Sequence, residues 1–227
     1  MSVVVPVHNG ATYLAAALDS LLGQDPAPRE VVVVDDGSTD GTPAVMRAYE
    51  GRIRAVSLPR TGFSGTINRG VDASTSSWIG FVDADDEWPP ESLAMRWAAV
   101  AAHPEVELVS GRVVQFVSPE LPDEATARFR FDPAPSRAQV FGAVLIRRQI
   151  WETVGPLDET LPSASTIDWI SRARTAGVRQ LEFDDVVLRR RLHGGNMGVV
   201  LDQDVTRKAL RDVVRAHHAR RQGPDTP

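Results

Sequence analysis

Trp78-Ile79-Gly80-Phe81-Val82 runs directly into Asp83-Ala84-Asp85-Asp86-Glu87. A short apolar run of this kind reads as a buried strand. Four carboxylates in the next five residues repel one another and are costly to desolvate unless a cation sits among them. The stretch predicts a divalent-metal site at the carboxyl edge of a parallel sheet. The plainer alternative is a turn that caps the next helix, for which one carboxylate suffices.

The residues upstream support the sheet. Ser2 to Val7 and Val31 to Val34 are valine-rich runs of the type found in strands buried on both faces. Between them, Leu14, Leu18, Leu21 and Leu22 recur at i, i+4, i+7 and i+8, so Ala11 to Leu22 is predicted helical. Strand, helix, strand in so short a span is the βαβ unit. The second run ends in Asp35-Asp36-Gly37-Ser38-Thr39-Asp40-Gly41-Thr42, where Gly37 supplies a turn and Ser38, Thr39 or Asp40 can cap a helix over Thr42 to Glu50. A strand over Ile53 to Leu58 and a helix over Gly62 to Ala73 precede Trp78. Such alternation predicts an α/β fold with an open, mostly parallel sheet. Ligands of these sheets bind beyond the strand carboxyl ends at a topological switch point. Asp35-Asp36 and Asp83-Asp85 can therefore face one crevice.

Downstream, Pro89-Pro90 leads into a helix over Glu91 to Ala102, then a strand over Glu107 to Val117. Ser118 to Ser136 has no period and reads as a loop or hairpin insertion. Phe141 to Ile146 is predicted as a strand, Arg147 to Val154 as a helix, Leu161 to Thr166 as a loop and Ile167 to Ala176 as a helix stopped by Gly177. Arg179 to Phe183 and Val186 to Leu192 read as two edge strands. A Gly-rich loop over 194–198 and a helix over Asp202 to Arg221 follow. The expectation is one domain over 1–221, with halves 1–90 and 91–221, and a disordered tail at 222–227.

The 227 residues, 42% hydrophobic and 24% charged, suit a globular domain. A net charge of -5 gives no reason to expect a nucleic-acid binder. With no cysteine, thiol catalysis and thiolate metal sites are excluded, and oxygen or imidazole ligands favour magnesium, manganese or calcium. A strand starting at residue 2 leaves no room for a signal peptide, and no apolar run is long enough to cross a membrane. The expected location is the cytoplasm, with peripheral membrane association left open.

Val5-Pro6-Val7-His8-Asn9-Gly10, Val34 to Thr42, Asn68-Arg69-Gly70 and Val82-Asp83-Ala84-Asp85-Asp86 together resemble the ordered motifs of family 2 glycosyltransferases. These are inverting enzymes with the GT-A fold: a Rossmann-like, mostly parallel central sheet, flanking helices and a small antiparallel acceptor-side portion. The second half resembles the family more loosely, through Phe141-Gly142-Ala143 with Ile146-Arg147-Arg148, Val154 to Glu159, and Ile167-Asp168-Trp169.

The resemblance implies a nucleoside-diphosphate sugar donor, a hydroxyl acceptor of unspecified identity, and Mn2+ or Mg2+. Asp85 would ligate the metal, and Asp83 would contact the ribose or the metal, with Ala84 between them at the diphosphate end. Asp86 is the spare candidate. Asp36 would accept the N3–H of a uracil-type base, favouring UDP or TDP, although Asp35-Asp36 could also simply build the turn. Pro6, His8 and Asn9 would line the same pocket. His8 stands where the family often has tyrosine. Arg60 would approach the base or phosphate. Asp168 is expected as the general base, with Ile167 in place of its usual acidic neighbour. His193, after three arginines, would serve the diphosphate or the metal shell in a closing loop, or else be a strand-end structural residue. Trp88, Trp151 and Trp169 could stack on a sugar or belong to the core.

Two rivals are a sugar nucleotidyltransferase and a non-catalytic nucleotide-sugar-binding protein. The first would need a Gly-rich triphosphate loop after the first strand, which Pro6-Val7-His8-Asn9-Gly10 is not.

Overall fold

The computed structural model describes residues 1–122, 132–137, 140–161 and 164–195. The expected Asp202 to Arg221 helix, the 222–227 tail, residues 196–198 of the Gly-rich loop and 123–131 of the insertion lie outside the described residues.

The chain runs β1 (Ser2–Val7), α1 (Leu14–Leu22), β2 (Glu30–Asp36), α2 (Thr42–Ala48), β3 (Arg54–Leu58), α3 (Phe63–Ala73), β4 (Trp78–Phe81), α4 (Ser92–Ala102) and β5 (Leu108–Val117). A short 3-10 turn over Phe141–Ala143 then leads into β6 (Val144–Arg147), α5 (Arg148–Val154), α6 (Ser165–Thr175) and β7 (Gln180–Leu192). Among the described residues the strands form one sheet in the order β3-β2-β1-β4-β6-β5-β7. β1 pairs in parallel with β2 and β4, and β2 with β3. β6 runs antiparallel to both β4 and β5, while β7 is parallel to β5. The expected α/β sheet, mostly parallel with a small antiparallel part, is the one found.

The unbroken valine runs follow from burial on both faces. Val3 and Val5 join Leu14, Leu18 and Leu21 of α1 in one apolar layer, while Val4 packs in the opposite layer with Ile67, Val71, Ile79 and Phe81. Gly70 is needed at the second contact: a Cβ there would lie 2.3 Å from Val4 Cγ1 and 3.1 Å from Val34 Cγ2. Any side chain would push α3 off the sheet. Two residues earlier, Asn68 bonds the backbone of Leu157 in both directions, at 3.0 and 2.9 Å, and so ties α3 to the second half of the chain.

Two expectations are corrected. Phe141 to Ala143 is a tight turn rather than the start of a strand. Gly142 sits there because a Cβ would come 2.8 Å from Leu188 Cδ2. The two edge strands expected over 179–192 are one strand, β7. The polar Asp184-Asp185 pair that read as a break is a register shift against Ser110 and Arg112, with both acids exposed. The three tryptophans are core: Trp88, Trp151 and Trp169 are 2%, 6% and 0% exposed. Among the described residues no helix is long and apolar enough to cross a membrane.

Candidate active site

The loops after β1, β2, β3 and β4 converge at the carboxyl edge of the sheet, where β2 and β4 flank β1 and the strand order reverses. They line a cavity of about 630 Å³. Pro6, His8, Asn9, Asp36, Arg60, Asp83, Ala84, Asp85, Asp86 and His193 all line it, together with Tyr13, Phe63, Thr66 and Arg190. The motifs of the first half therefore meet in one place, apart from Asn68-Arg69-Gly70, whose Asn68 and Gly70 serve packing, while none of the second-half motif residues lines the cavity.

At one end, side chains staple the first two loops together. Ser38 Oγ accepts the Asn9 N–H at 2.8 Å, and Asn9 Oδ1 accepts the Thr39 N–H at 2.8 Å. Thr42 Oγ1 accepts from Gly10 N at 2.9 Å, and Asp40 accepts from Ala11 N at 3.1 Å and Thr42 N at 2.9 Å. These polar residues are the expected turn formers, and Asp40 is the one that holds the start of α2. Asn9 takes a left-handed backbone, φ 51°, which asparagine tolerates. His8 Nδ1 lies 2.9 Å from the carbonyl oxygen of Asp36, so that nitrogen carries the proton and Nε2 is the acceptor.

Asp36 is 3% exposed. Its Oδ1 accepts from Thr61 N at 2.5 Å and Thr61 Oγ1 at 2.9 Å, and its Oδ2 accepts from Gly62 N at 2.9 Å. Arg60 Nε stands 3.6 Å from Oδ2. Burial alone would raise the carboxyl's pKa, but the donors from Thr61 and Gly62 and the charge of Arg60 outweigh it, and Asp36 stays below the usual range. The carboxylate thus organises the β3–α3 loop as well as facing the cavity. Three hydrogen bonds leave acceptor capacity on a group with about four lone-pair sites.

At the other end, Asp83, Asp85 and Asp86 bring ligand oxygens within 4.8 Å of one another. Asp83 keeps some surface toward the cavity, but the protein packed around its carboxyl, reinforced by the charge of Asp85, pushes it up to about 7. Burial, with Asp83 and Asp85 beside it, also raises Asp86 well above the usual range. Asp83 and Asp86 resist ionisation in a crowd of three carboxylates, and a cation would relieve that crowding. The all-oxygen donor set, with an imidazole adjacent, suits a hard divalent ion such as Mg2+ or Mn2+. His193 Nε2 is 2.9 Å from Asp85 Oδ2, and its ring packs on Tyr13 with centroids 4.5 Å apart. The histidine is therefore brought to the acidic cluster across 108 residues of sequence.

Asp168 is not brought there. It is 1% exposed, lies in the first turn of α6, and bonds Arg172 Nε at 2.8 Å. Arg172 in turn donates to the carbonyls of Val154, at 2.5 Å, and Pro156, at 2.7 Å. The i,i+4 spacing on one helical face produces the pair. Asp168 is absent from the described lining of the cavity, and its geometry is that of a residue holding the 154–157 turn.

The sequence reading passed over the residues that back the acidic loop. Arg189 bonds Glu87 at 3.1 Å, and Arg191 contacts Asp85, Asp86 and Glu87. The signal was present: in a strand, Arg189 and Arg191 share one face and Arg190 takes the other. The missing information was which segment lay opposite.

With this geometry in view, comparison with known proteins places the chain. The model of the family described as Glycosyl transferase family 2 matches residues 2–152. AglE, a glycosyltransferase of Haloferax volcanii, is 29% identical over 203 residues, 82% of this chain and 65% of that protein. The structure of S. aureus TarS 1-349 in complex with UDP-GlcNAc superposes with a TM-score of 0.72 at 22% identity, over 94% of this chain and 65% of that one. Mannosyltransferase PcManGT from Pyrobaculum calidifontis, in complex with GDP-Man and Mn2+, gives 0.65 at 22% identity, over 100% and 65%. The chain spans between 26% and 65% of the lengths of the curated relatives it matches. A family match over more than half the chain, on a GT-A sheet whose carboxyl edge gathers the matching motifs, leads to one assignment: this chain belongs to glycosyl transferase family 2.

Proposed function

We propose that the chain transfers a sugar from a nucleoside-diphosphate donor to an acceptor hydroxyl, with the donor laid across the crevice from Asp36 to the Asp83–Asp86 loop. One observation carries the reading: a single cavity has a hydrogen-bonding, loop-stapled end and an acidic end where three carboxylates converge within 4.8 Å. A nucleotide's base and diphosphate need these two environments at opposite ends. Asp36 and Arg60 would meet the base, with His8 and Asn9 beside it. Because a carboxylate accepts N3–H, UDP or TDP is the donor class to test first. TarS in complex with UDP-GlcNAc and PcManGT in complex with GDP-Man and Mn2+ share the fold and support a nucleotide-sugar donor without choosing the base.

Asp83 and Asp85, with Asp86 behind them and His193 alongside, would hold Mn2+ or Mg2+. Such an ion supplies charge neutralisation to the departing diphosphate. Arg190, which lines the same end, adds a fixed positive charge toward the phosphates. Asp168 is assigned a positioning role through Arg172.

A thermal-shift series with UDP, TDP, GDP and ADP, each with Mn2+ or with EDTA, tests the reading. Stabilisation by several degrees for one nucleotide, dependent on metal, is the expected result. Equal melting temperatures under every condition would sink it.

A further inference from the structure

Arg191 is 6% exposed, and its bonds converge on one short loop. Its backbone N–H donates to Asp86 Oδ1 at 2.9 Å, and its Nε donates to the backbone oxygen of Asp85 at 3.0 Å. Nη2 reaches Glu87 Oε1, and Nη1 reaches Ser118 Oγ at 3.3 Å. The guanidinium also lies over two rings, 4.9 Å from the centroid of Tyr13 and 4.6 Å from that of Phe116. One residue of β7 therefore holds three consecutive residues of the acidic loop, more than 100 positions away in the chain.

Three carboxylates forced together repel, and a loop carrying them would splay unless held from behind. A planar guanidinium can hold it because its donors form a rigid fork that reaches a carbonyl and a carboxylate at once. Stacking on aromatic faces fixes the plane of that fork. Such support behind a ligand orients it and tunes its affinity.

We propose that Arg191 is the positioning residue of the acidic loop: through its bonds to Asp85, Asp86 and Glu87 it sets the orientation of the Asp85 and Asp86 carboxylates, and thereby sets how tightly the loop binds a divalent ion. The inference rests on the donor-and-metal reading above. Lysine keeps the charge but has no fork, so Arg191→Lys separates charge from geometry. Phe116→Leu removes one supporting ring and leaves the hydrogen bonds in place.

The experiment measures Mn2+ binding by calorimetry, without nucleotide, for the unmodified chain, Arg191→Lys and Phe116→Leu, well below each metal-free melting temperature. The metal-free melting temperature is followed in parallel. Arg191→Lys is expected to stay folded and to lose roughly 10–100-fold in Mn2+ affinity. Phe116→Leu should shift Mn2+ affinity in the same direction by a few-fold, and it decides the matter if Arg191→Lys does not fold. A folded Arg191→Lys, or in its place a folded Phe116→Leu, that binds Mn2+ as tightly as the unmodified chain overturns the role of Arg191 alone. No Mn2+ binding by the unmodified chain overturns the metal reading and this inference with it.

Discussion

The two halves of the molecule build the site in different ways. On the β1–β4 side, each functional residue sits at the end of its own strand, and its partners lie in the neighbouring loop. His8, Asn9 and Gly10 are held by Asp36, Ser38, Thr39 and Thr42, and Asp36 is held by Thr61 and Gly62. On the β5–β7 side, the functional residues act on elements distant in sequence. Arg189, Arg191 and His193 reach the acidic loop from the far edge strand. Asp168, expected as the general base, bonds Arg172, which in turn bonds the carbonyl of Val154 in the same half. A site residue fixed by adjacent loops can be read from short motifs. One delivered by an edge strand is harder to read, because its role is set by what lies opposite: His193 was expected at the site, but the hold of Arg189 and Arg191 on the acidic loop was not.

Three changes would break or sharpen this contrast, the largest first. Asp85→Asn should abolish the metal-dependent thermal shift and reduce turnover by about 100-fold or more, since a divalent ion held there would contribute several kcal/mol to transition-state charge stabilisation. Normal turnover in that variant would remove the metal from the mechanism. Asp168→Asn should do nearly the reverse. Breaking a buried pair with Arg172 should cost about 3 kcal/mol and lower the melting temperature by roughly 6–12 °C at this chain length, with turnover per folded molecule changed only a few-fold. If turnover instead collapses while the melting temperature holds, Asp168 takes part in the chemistry and the second half is more directly catalytic than its geometry indicates.

The third change is pH, with the sign set by Asp83. Its folded pKa is raised by burial and Asp85 to about 7, so the folded state retains a proton that the unfolded chain gives up near the ordinary carboxylate value of about 4. The stability tied to that proton is fully present at low pH and lost as pH rises through about 7. Asp86 acts in the same direction. In EDTA, the melting temperature should therefore carry a component that declines between about pH 4 and 7. Mn2+ requires the ionised carboxylates, so its stabilisation should be greater at pH 8 than at pH 6. Asp83→Asn should flatten the metal-free profile, and parallel profiles for the two chains would contradict the assignment.

The amino-acid sequence determined more of the first half than of the second for a physical reason. Valine runs buried on both faces, a leucine stripe at helical spacing and turn residues at strand ends are local consequences of side-chain shape and backbone preference. They were enough to predict the parallel sheet, the crevice at its carboxyl edge, and the convergence of Asp36 with Asp83, Asp85 and Asp86. The Asn68-Arg69-Gly70 motif was legible as a pattern, but its cause was not. Only packing shows that Gly70 admits Val4 and that Asn68 grips Leu157. Tertiary structure alone decided that Asp184-Asp185 is a bulge rather than a break, that Asp168 faces Arg172, and that Arg191 stands behind the acidic loop. The bulge and the place of Arg191 depend on partners far away in sequence, and periodicity and spacing carry no information about which distant segment supplies them. The Asp168–Arg172 pair is local, at i,i+4, but the carbonyls of Val154 and Pro156 that Arg172 then holds are not.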